Sequence, residues 1–361
     1  MKVKQASRLN SVKEYYFSKK LKEIADLRAE GKDIINLGIG NPDLPPSEAT
    51  RKGLETAVWE NNTHGYQSYR GVPQLRNGIA SWYKRFYQVE VNYENEVLPL
   101  IGSKEGIMHI SMSFLEPGDE ALVPNPGYPA YRTASMLAGA KVVNYNLKEE
   151  LGWMPDLKEL EQQDLSKVKI MWVNFPNMPT GATANLDFYK RLIAFAKRNE
   201  ILIVNDNPYS FILQDQPMSL LSIEGAKDVA MELNSLSKSH NMAGWRVGML
   251  IGKKEWIDIV LKFKSKSGNG DESGEAAYNR YGKNVKPLLE KVGAKAIWAG
   301  NVKKTVIGDY TSQPDRILIV YYPSKEAFIE MSTSEAYLKI GNDRKIALEY
   351  GGLIATETID F

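Results

Sequence analysis

Short apolar segments of strand length alternate with amphipathic segments through the middle of the chain. Between residues 97 and 252 the apolar segments are VLPLIG, EALVPNP, AKVVNYNL, KIMWVNFP, ILIVNDNP, DVAMELNSLSK and GMLIG. The stretches between them, such as 104–115 and 186–199, place apolar residues at helical spacing and are long enough to connect parallel strands. This alternation predicts an α/β fold with a mostly parallel sheet, in which polar residues just after the strands form the binding site.

The pattern changes after residue 264. The segment SKSGNGDESG at 265–274 has no apolar residue, which predicts a loop or linker. It is followed by an amphipathic helix around 276–292, the strand patterns AKAIWAGNV and RILIVYY, helical stretches over 324–349 and a last apolar run, GLIATE. These elements predict a second, smaller α+β unit.

The segment that joins the two parts fits two patterns. Ile257, Val260 and Leu261 share one helical face, whereas Ile257, Ile259, Leu261 and Phe263 alternate as in a strand. Helix and strand both remain open there. We divide the chain into an N-terminal segment over 1–45, a large domain over 46–256 and a small domain over 257–361.

Composition excludes several classes of function. The 361 residues include 46 Lys and Arg against 44 Asp and Glu, and this net charge of +2 implies neither a nucleic acid nor an anionic membrane as partner. The absence of cysteine excludes disulfides, thiolate metal sites and cysteine nucleophiles. No span approaches about 18 uninterrupted apolar residues, so we expect no membrane partner and a cytoplasmic protein.

The segment LNSLSKSHNMAGWRVG contains a lysine and an arginine after a predicted strand. A lone lysine in a loop is usually a solvated surface group. A pyridoxal phosphate (PLP) enzyme, however, needs a lysine amine for a Schiff base, with hydroxyl donors and an arginine for the phosphate dianion. Ser235, Lys238 and Arg246 supply these types of group.

Two polar residues follow the apolar strand ILIV. Asp206 comes before Asn207-Pro208, where such a residue commonly forms a turn. In a PLP site Asp206 would instead pair with the protonated pyridine nitrogen, while Tyr209 would donate to the phenolic oxygen of the ring. The two interpretations can hold together.

Two further motifs follow strands. NFPNMPTGA at 174–182 has the composition of a turn, and IGSKEG at 101–106 opens a helix. Ser103 either caps that helix or, with its free N–H groups, binds a phosphate. His64, His109 and His240 lie far apart in sequence, so we predict no metal site.

Taken together, these motifs resemble the aspartate aminotransferase family of fold-type I PLP enzymes, particularly its diaminopimelate and broad-specificity branch. The resemblance spans about residues 2–264 and also rests on LGIGNPDLPP, YQSYRGVPQLR and PNPGYPAY. It implies the seven-stranded sheet of that family's large domain, PLP as cofactor, and an amino acid and a 2-oxo acid as substrates. LGIG is no dinucleotide motif, since Asp43 occupies the third glycine position.

The resemblance also implies a role for each matching residue. Lys238 would form the Schiff base, Asp206 would bind the pyridine nitrogen, Asn177 and Tyr209 the ring oxygen, and Tyr128 would stack on the ring. Ser103, the backbone of Lys104, Ser235 and Arg246 would hold the phosphate, and Gly40 would line the substrate carboxylate's side of the pocket. Tyr66 would reach the phosphate of a neighbouring subunit, which implies a homodimer. Met178 departs from the family, which usually has a second asparagine there.

The resemblance ends where the family's C-terminal small domain should begin. Arg280, Arg316 and Arg344 do not lie in the family's Asn-x-x-Arg setting, so none of them receives the role of binding the substrate α-carboxylate. Residues 257–361 instead resemble an uncharacterised family with a dimeric α/β-barrel, ferredoxin-like fold, through AYNRYGKNVKPLLEKVGAKAIWAGNV, YYPSKEAFIEMSTSEAYLKI and ALEYGGLIAT.

Two functions therefore remain. The chain is either a PLP-dependent aminotransferase impaired by the loss of its usual small domain, or a non-catalytic PLP-binding scaffold whose C-terminal module mediates association. A natural fusion, an engineered chimera and a joined reading of two genes would all give this sequence.

Overall fold

The computed structural model describes residues 4–10, 12, 16–36, 40–61, 63–65, 67–212, 214–266, 274–301 and 316–347. The chain divides into two compact units, one formed by Met1–Gly65 and Arg70–Gly268 and the other by Tyr66–Tyr69 and Asn269–Phe361. Within the described ranges, no helix has both the length and the apolar character needed to cross a membrane.

The described helices are α1 (Tyr16–Ala29), α2 (Glu48–Val58), α3 (Pro73–Tyr87), α4 (Ser103–Phe114), α5 (Pro129–Leu137), α6 (Leu157–Glu161), α7 (Leu186–Asn199), α8 (Leu236–Ser239), α9 (Lys254–Lys264), α10 (Gly274–Lys291), α11 (Lys325–Thr333) and α12 (Glu335–Ala347). The described strands are β1 (Val97–Leu100), β2 (Glu120–Asn125), β3 (Lys141–Asn146), β4 (Val168–Asn174), β5 (Leu202–Asp206), β6 (Ala230–Ser235), β7 (Gly248–Ile251), β8 (Lys295–Asn301) and β9 (Arg316–Tyr321). Each apolar segment between residues 97 and 252 thus forms one strand.

The first unit is built on a sheet whose described strands lie in the order β1-β7-β6-β5-β4-β2-β3. Strands β2 to β6 pair in parallel, whereas β7 is antiparallel to both β1 and β6. The prediction of a mostly parallel, seven-stranded sheet is confirmed. Because β7 runs in the opposite direction, its first residue lies at the same edge as the carboxyl ends of its neighbours.

Helices cover both faces of this sheet. Buried residues of α3 and α7, such as Tyr83 and Leu192, form one core with the side chains of one face. Buried residues of α4, α5 and α9, such as Ile110 and Tyr131, form a second core on the other face. Successive side chains of a strand point to opposite faces, so each central strand contributes to both cores.

The segment at 254–264 is the helix α9, which settles the alternatives left open by its sequence. Ile257 and Val260 are fully buried in the second core, while Ile259 is 42% exposed. A spacing of three between buried residues is typical of a helix. The segment belongs to the first compact unit, which extends to Gly268. The predicted domain limits at 45 and 256 stay predictions.

The second unit contains α10, β8, β9, α11 and α12 among its described residues. Strands β8 and β9 pair antiparallel, and they coincide with the predicted strands AKAIWAGNV and RILIVYY. The hydroxyl groups of Tyr281 in α10 and Tyr337 in α12 form a hydrogen bond of 3.1 Å. The apolar run GLIATE and most of the segment 265–274 lie outside the described residues.

Candidate active site

The residues singled out from the sequence meet at one edge of the first unit's sheet. Asp206 ends β5, Ser235 ends β6, and Lys238 follows in the short helix α8. Ser103 opens α4 directly after β1, and Arg246 precedes β7 at the same edge. This arrangement follows from the strand directions, since the antiparallel β7 brings its amino end to the carboxyl ends of β1 and β6.

Asp206 is a buried carboxylate with one unused oxygen. Its side chain is 4% exposed, and Oδ2 accepts a hydrogen bond of 2.8 Å from the Tyr131 hydroxyl. Oδ1 is buried and has no hydrogen-bond partner among the described residues. Burial raises the pKa of Asp206 to about 6, against the lowering effect of the Tyr131 and Ser103 hydroxyls. A buried acceptor of this kind fits a protonated ring nitrogen, which would supply both the missing donor and a positive charge.

Lys238 is half-buried, and its Nζ donates to the backbone oxygen of Gly40. Burial lowers the pKa of Lys238. A lowered pKa increases the fraction of neutral amine, which is the form that attacks an aldehyde or accepts a proton. Gly40 thus lies beside the lysine, although the contact it makes here is through its own carbonyl group.

Hydroxyl and guanidinium donors lie around the start of α4. Ser235 is buried and its Oγ donates to the Ser237 Oγ at 2.9 Å. The Arg246 side chain is exposed and donates to the Ala243 oxygen at 3.0 Å. Its Nη2 also donates to the Ile101 oxygen at 3.4 Å, next to the first turn of α4. These donors and the N–H groups at the start of α4 suit a phosphate dianion.

Glycine at 248 is what allows β7 to approach this turn. A Cβ atom at Gly248 would lie 2.6 Å from the carbonyl carbon of Gly102 and 2.7 Å from the nitrogen of Ser103. Both are backbone atoms, which cannot rotate away. The close approach therefore depends on the missing side chain, and it fixes where the first N–H groups of α4 point.

The remaining predicted residues that the structure describes lie at the same edge, with fewer informative contacts. Asn177 is 4% exposed, and its Oδ1 accepts from the Thr180 hydroxyl at 2.8 Å. Tyr209 lies in the turn after β5, and Lys104 is exposed in the first turn of α4. The Tyr128 ring meets Tyr131 edge-on, with ring centroids 5.6 Å apart. Tyr66 lies outside the described residues.

Sequence reasoning missed two residues that support Asp206. Tyr131 is fully buried in α5, and its ring stacks on Trp172 at 5.2 Å while its hydroxyl reaches Asp206. Asn174, at the end of β4, donates from Nδ2 to the Asp206 backbone oxygen at 2.6 Å. Asn174 directly follows an apolar strand, as Asp206 does, so the position of strand ends could have found it.

The family model for aminotransferase class I and II matches residues 32–280. A second family model, for a domain of unknown function (DUF1330), matches residues 271–358. Among curated proteins, the LL-diaminopimelate aminotransferase of Dehalococcoides mccartyi is 44% identical over 270 residues, which cover 74% of this chain and 70% of that protein. The protein of the same name from Aquifex aeolicus is 40% identical over 267 residues, covering 73% and 69%.

Solved structures agree with these matches. Substrate-bound BacF from Bacillus subtilis has a TM-score of 0.70 at 29% identity and covers 98% of this chain and 100% of its own. Aspartate aminotransferase from Thermus thermophilus with maleate has a TM-score of 0.70 at 24% identity, with 82% of each chain covered. The second of these likenesses is one of fold.

Proposed function

We propose that this chain, which belongs to the family of class I and II aminotransferases, exchanges the amino group of an amino acid resembling LL-diaminopimelate for the oxygen of a 2-oxo acid. As a member of this family it is a PLP-dependent transferase whose substrates are amino acids and 2-oxo acids. The choice of LL-diaminopimelate rests on the names of the relatives. The buried Asp206, with its unpaired Oδ1, is the observation that supports this site most strongly.

The donor set fits PLP residue by residue. Asp206 Oδ1 would accept from the ring nitrogen, Asn177 and Tyr209 would donate to the ring oxygen, and Tyr128 would lie against the ring. Ser103, the backbone of Lys104, Ser235 and Arg246 would hold the phosphate, and Lys238 would hold the aldehyde carbon covalently through Nζ. When bound, PLP supplies a conjugated ring that withdraws electrons from the substrate's α-carbon.

Lys238 has a second role in this proposal. Its Nζ is the base that we assign to the α-proton of the substrate, because burial lowers its pKa and so favours the neutral amine. A positioned base of this kind contributes about 10²–10⁴-fold in rate. Asp206 keeps its carboxylate against the ring and is excluded from water by its burial.

We further propose that turnover is slow compared with that of an intact family member. No arginine after residue 264 occupies the family's setting for the substrate α-carboxylate, and a different family begins at residue 271. A charge-assisted hydrogen bond contributes roughly 1.5–3 kcal/mol, so its loss lowers kcat/KM by about 10- to 100-fold. The alternative function, a PLP-binding scaffold without transfer activity, rests on the same absence.

The proposed protein is a homodimer, and its proposed location is the cytoplasm. The dimer is supported by the resemblance that assigns Tyr66 to the phosphate of a neighbouring subunit. Sedimentation at tens of micromolar with PLP bound distinguishes the outcomes, since a monomer would remove Tyr66 from the proposed site.

The proposed site is tested by loading the purified chain with PLP and reducing it with borohydride. Peptide mapping should find the label on Lys238, and Lys238→Ala should abolish it. Lys190→Ala, which changes an exposed lysine of α7, is the matched control and should keep the label. Labelling of another lysine, or of none at saturating PLP, would refute the assignment.

Activity separates the enzyme from the scaffold. LL-diaminopimelate, glutamate, aspartate and alanine are added to the loaded protein, and the change in its absorbance is followed before steady-state rates are measured. We expect a spectral change with LL-diaminopimelate and a kcat/KM below about 10⁴ M⁻¹s⁻¹. A labelled Lys238 without any response to amino acids would favour the scaffold.

A further inference from the structure

A second buried carboxylate lies on the face of the sheet opposite Asp206. Glu232, in β6, has no exposed surface. It is paired across the strands with Asn205, and Asp206 is paired with Leu233. Because side chains alternate along a strand, Glu232 and Asn205 share the face covered by α3 and α7, while Asp206 points to the other core.

Four donors converge on the Glu232 carboxylate. Its Oε1 accepts from the Tyr83 hydroxyl at 3.1 Å and from the Ser219 Oγ at 2.7 Å. Its Oε2 accepts from Asn205 Nδ2 and from the backbone nitrogen of Leu220, both at 2.9 Å. An ionised carboxylate accepts only, with about four lone-pair sites, and these four donors can satisfy it.

The hydroxyl of Ser219 is oriented by a further contact. Ser219 Oγ accepts from the backbone nitrogen of Leu221 at 3.1 Å, which leaves its proton free to point to Glu232. No ion pair joins Glu232 to a Lys, Arg or His within the described part of the chain. Burial raises the pKa of Glu232, against the lowering effect of the hydrogen bonds from Asn205, Ser219 and the Leu220 nitrogen. Any charge on Glu232 must therefore be stabilised by these hydrogen bonds rather than by a cation.

Hydrogen bonds of Asn207 and of Glu232 hold the two ends of the segment that follows β5. Asn207, just after Asp206, donates its backbone N–H to the Leu233 oxygen at 2.8 Å. Its Nδ2 donates to the Met218 oxygen at 3.1 Å, next to Ser219 and Leu220. The connection between these points includes Tyr209, and β6 continues from Glu232 to Ser235.

We propose that Glu232 is a positioning residue: a buried anion that holds, from the opposite face of the sheet, the chain segment on which Asp206 and Tyr209 lie. This inference rests on the proposed PLP site. Glu232 itself lies on the face that points away from Asp206, and it acts through Asn205, Ser219 and Leu220.

An anion at this place also has an electrostatic effect across the sheet. The charge of Glu232 is one of the causes that raise the pKa of Asp206, after burial. The other titratable groups that face Glu232 are Tyr83 and Tyr87 of α3 and Tyr189 of α7, and burial raises the pKa of each, so they stay neutral donors. The same negative charge would raise the pKa of a ring nitrogen held against Asp206, so that the nitrogen would keep its proton more firmly.

Glu232→Gln isolates the charge. The partners of Oε1 are hydroxyls, which can also accept, so the new amide can face Tyr83 and Ser219 while its oxygen keeps Asn205 and Leu220. Infrared spectra of the full-length apo-protein, recorded against pH, report protonated carboxyl groups, and the Asp206 band is identified by its loss in Asp206→Asn. We expect Glu232→Gln to lower the pKa of Asp206, by less than burial raises it, because burial is the larger cause.

Two infrared outcomes would overturn the proposal without any reference to PLP. One is an unchanged titration of Asp206 in Glu232→Gln. The other, measured in the wild-type protein, is a protonated carboxyl band at neutral pH that disappears in Glu232→Gln, because Glu232 would then be neutral. The second measurement needs only a difference from the wild type, and it remains decisive for the charge if the variant binds PLP poorly.

Glu232→Ala tests the holding of the segment. Its matched control is Leu192→Ala, at a fully buried position of α7 in the core on the same face. In PLP titrations we expect the dissociation constant to rise at least about tenfold more in Glu232→Ala than in the control. Equal losses in the two variants would mean that Glu232 serves only the core. If Glu232→Ala fails to fold, Ser219→Ala replaces it in the same comparison.

Discussion

The carboxyl group of Asp206 binds a proton more tightly in the folded protein than in the unfolded chain. Its pKa rises from the ordinary 3.8 to about 6, chiefly because it is buried. Its stabilising contribution is therefore complete below about pH 4 and is lost as the pH rises through about 6. Over that range we expect the apo-protein to lose about 3 kcal/mol of unfolding free energy through this group.

Asp206→Asn should remove this pH-dependent loss of stability. The change keeps the side chain's shape but leaves no group to titrate, so the fall in unfolding free energy from acidic to neutral pH should be smaller by about the same 3 kcal/mol than in the wild type. Urea unfolding of the apo-variant and the wild type measures it. Asp187→Asn, at an exposed position of α7, should keep the wild-type difference, and a shared pH dependence in all three proteins would contradict the raised pKa of Asp206.

Sequence reasoning at the residue scale identified side chains by their place after a strand. That rule selected Lys238 and Asp206 as candidates, because a strand end is visible in the sequence as the end of an apolar run. It missed Tyr131, which lies 75 residues before Asp206, and Tyr83, which lies 149 residues before Glu232. Such partners are set by which helix packs on which face, and no local pattern contains that information.

Between elements, the approach of β7 to the start of α4 depends on Gly248. Gly248→Ala would place a Cβ 2.6 Å from the backbone of Gly102 and displace the first turn of α4, where we place the phosphate. We expect a loss of about 1–3 kcal/mol in unfolding free energy and at least a tenfold weaker PLP affinity.

The matched control for this change is Gly244→Ala. A Cβ at Gly244 would meet nothing within 4 Å, and the position needs no left-handed backbone. Its effect on stability should stay within about 0.5 kcal/mol. Denaturant unfolding and PLP titration compare the two variants, and similar effects at both positions would show that close approach of β7 is unimportant.

Helix α9 shows why its own sequence left two alternatives. Its apolar residues are dense enough to satisfy both a helical and an alternating pattern, so only the packing against one core decides between them. Ile257 is fully buried and Ile259 is 42% exposed, although an alternating strand would have placed both on one side. The seven strands, in contrast, were predictable, because turn residues bound each run.

The same pair of isoleucines gives a test. Ile257→Ala should cost about 2–5 kcal/mol of unfolding free energy because it empties a core position. Ile259→Ala removes the same atoms from a partly exposed site and should cost below about 1 kcal/mol. Equal losses on urea unfolding would indicate the alternating pattern of a strand instead of a helix.

At the scale of the whole molecule, two family models divide the chain near the same place as the two compact units. The match to the aminotransferases ends at residue 280, the match to the domain of unknown function begins at 271, and the first unit ends at Gly268. The change in composition after residue 264 indicates the same region, whereas the predicted limit between the two domains lies at 256, before most of α9. A residue for the substrate α-carboxylate was not predictable, since the sequence after residue 264 contains no Asn-x-x-Arg motif.

Each described residue that we assign to PLP lies in the first unit, between Ser103 and Arg246. A chain that ends at Lys266, after α9, should therefore fold and bind PLP with an affinity within about threefold of the full chain. Both cores of the sheet and the buried residues of α9 remain in it. PLP titration and borohydride labelling of Lys238 in both proteins provide the comparison.

The shorter chain could fold, as judged by circular dichroism, and yet bind PLP more than tenfold more weakly than the full chain. In that case the second unit must supply part of the cofactor site. If the shorter chain binds PLP equally well but turns over amino acids more slowly, the second unit contributes to a step that follows cofactor binding.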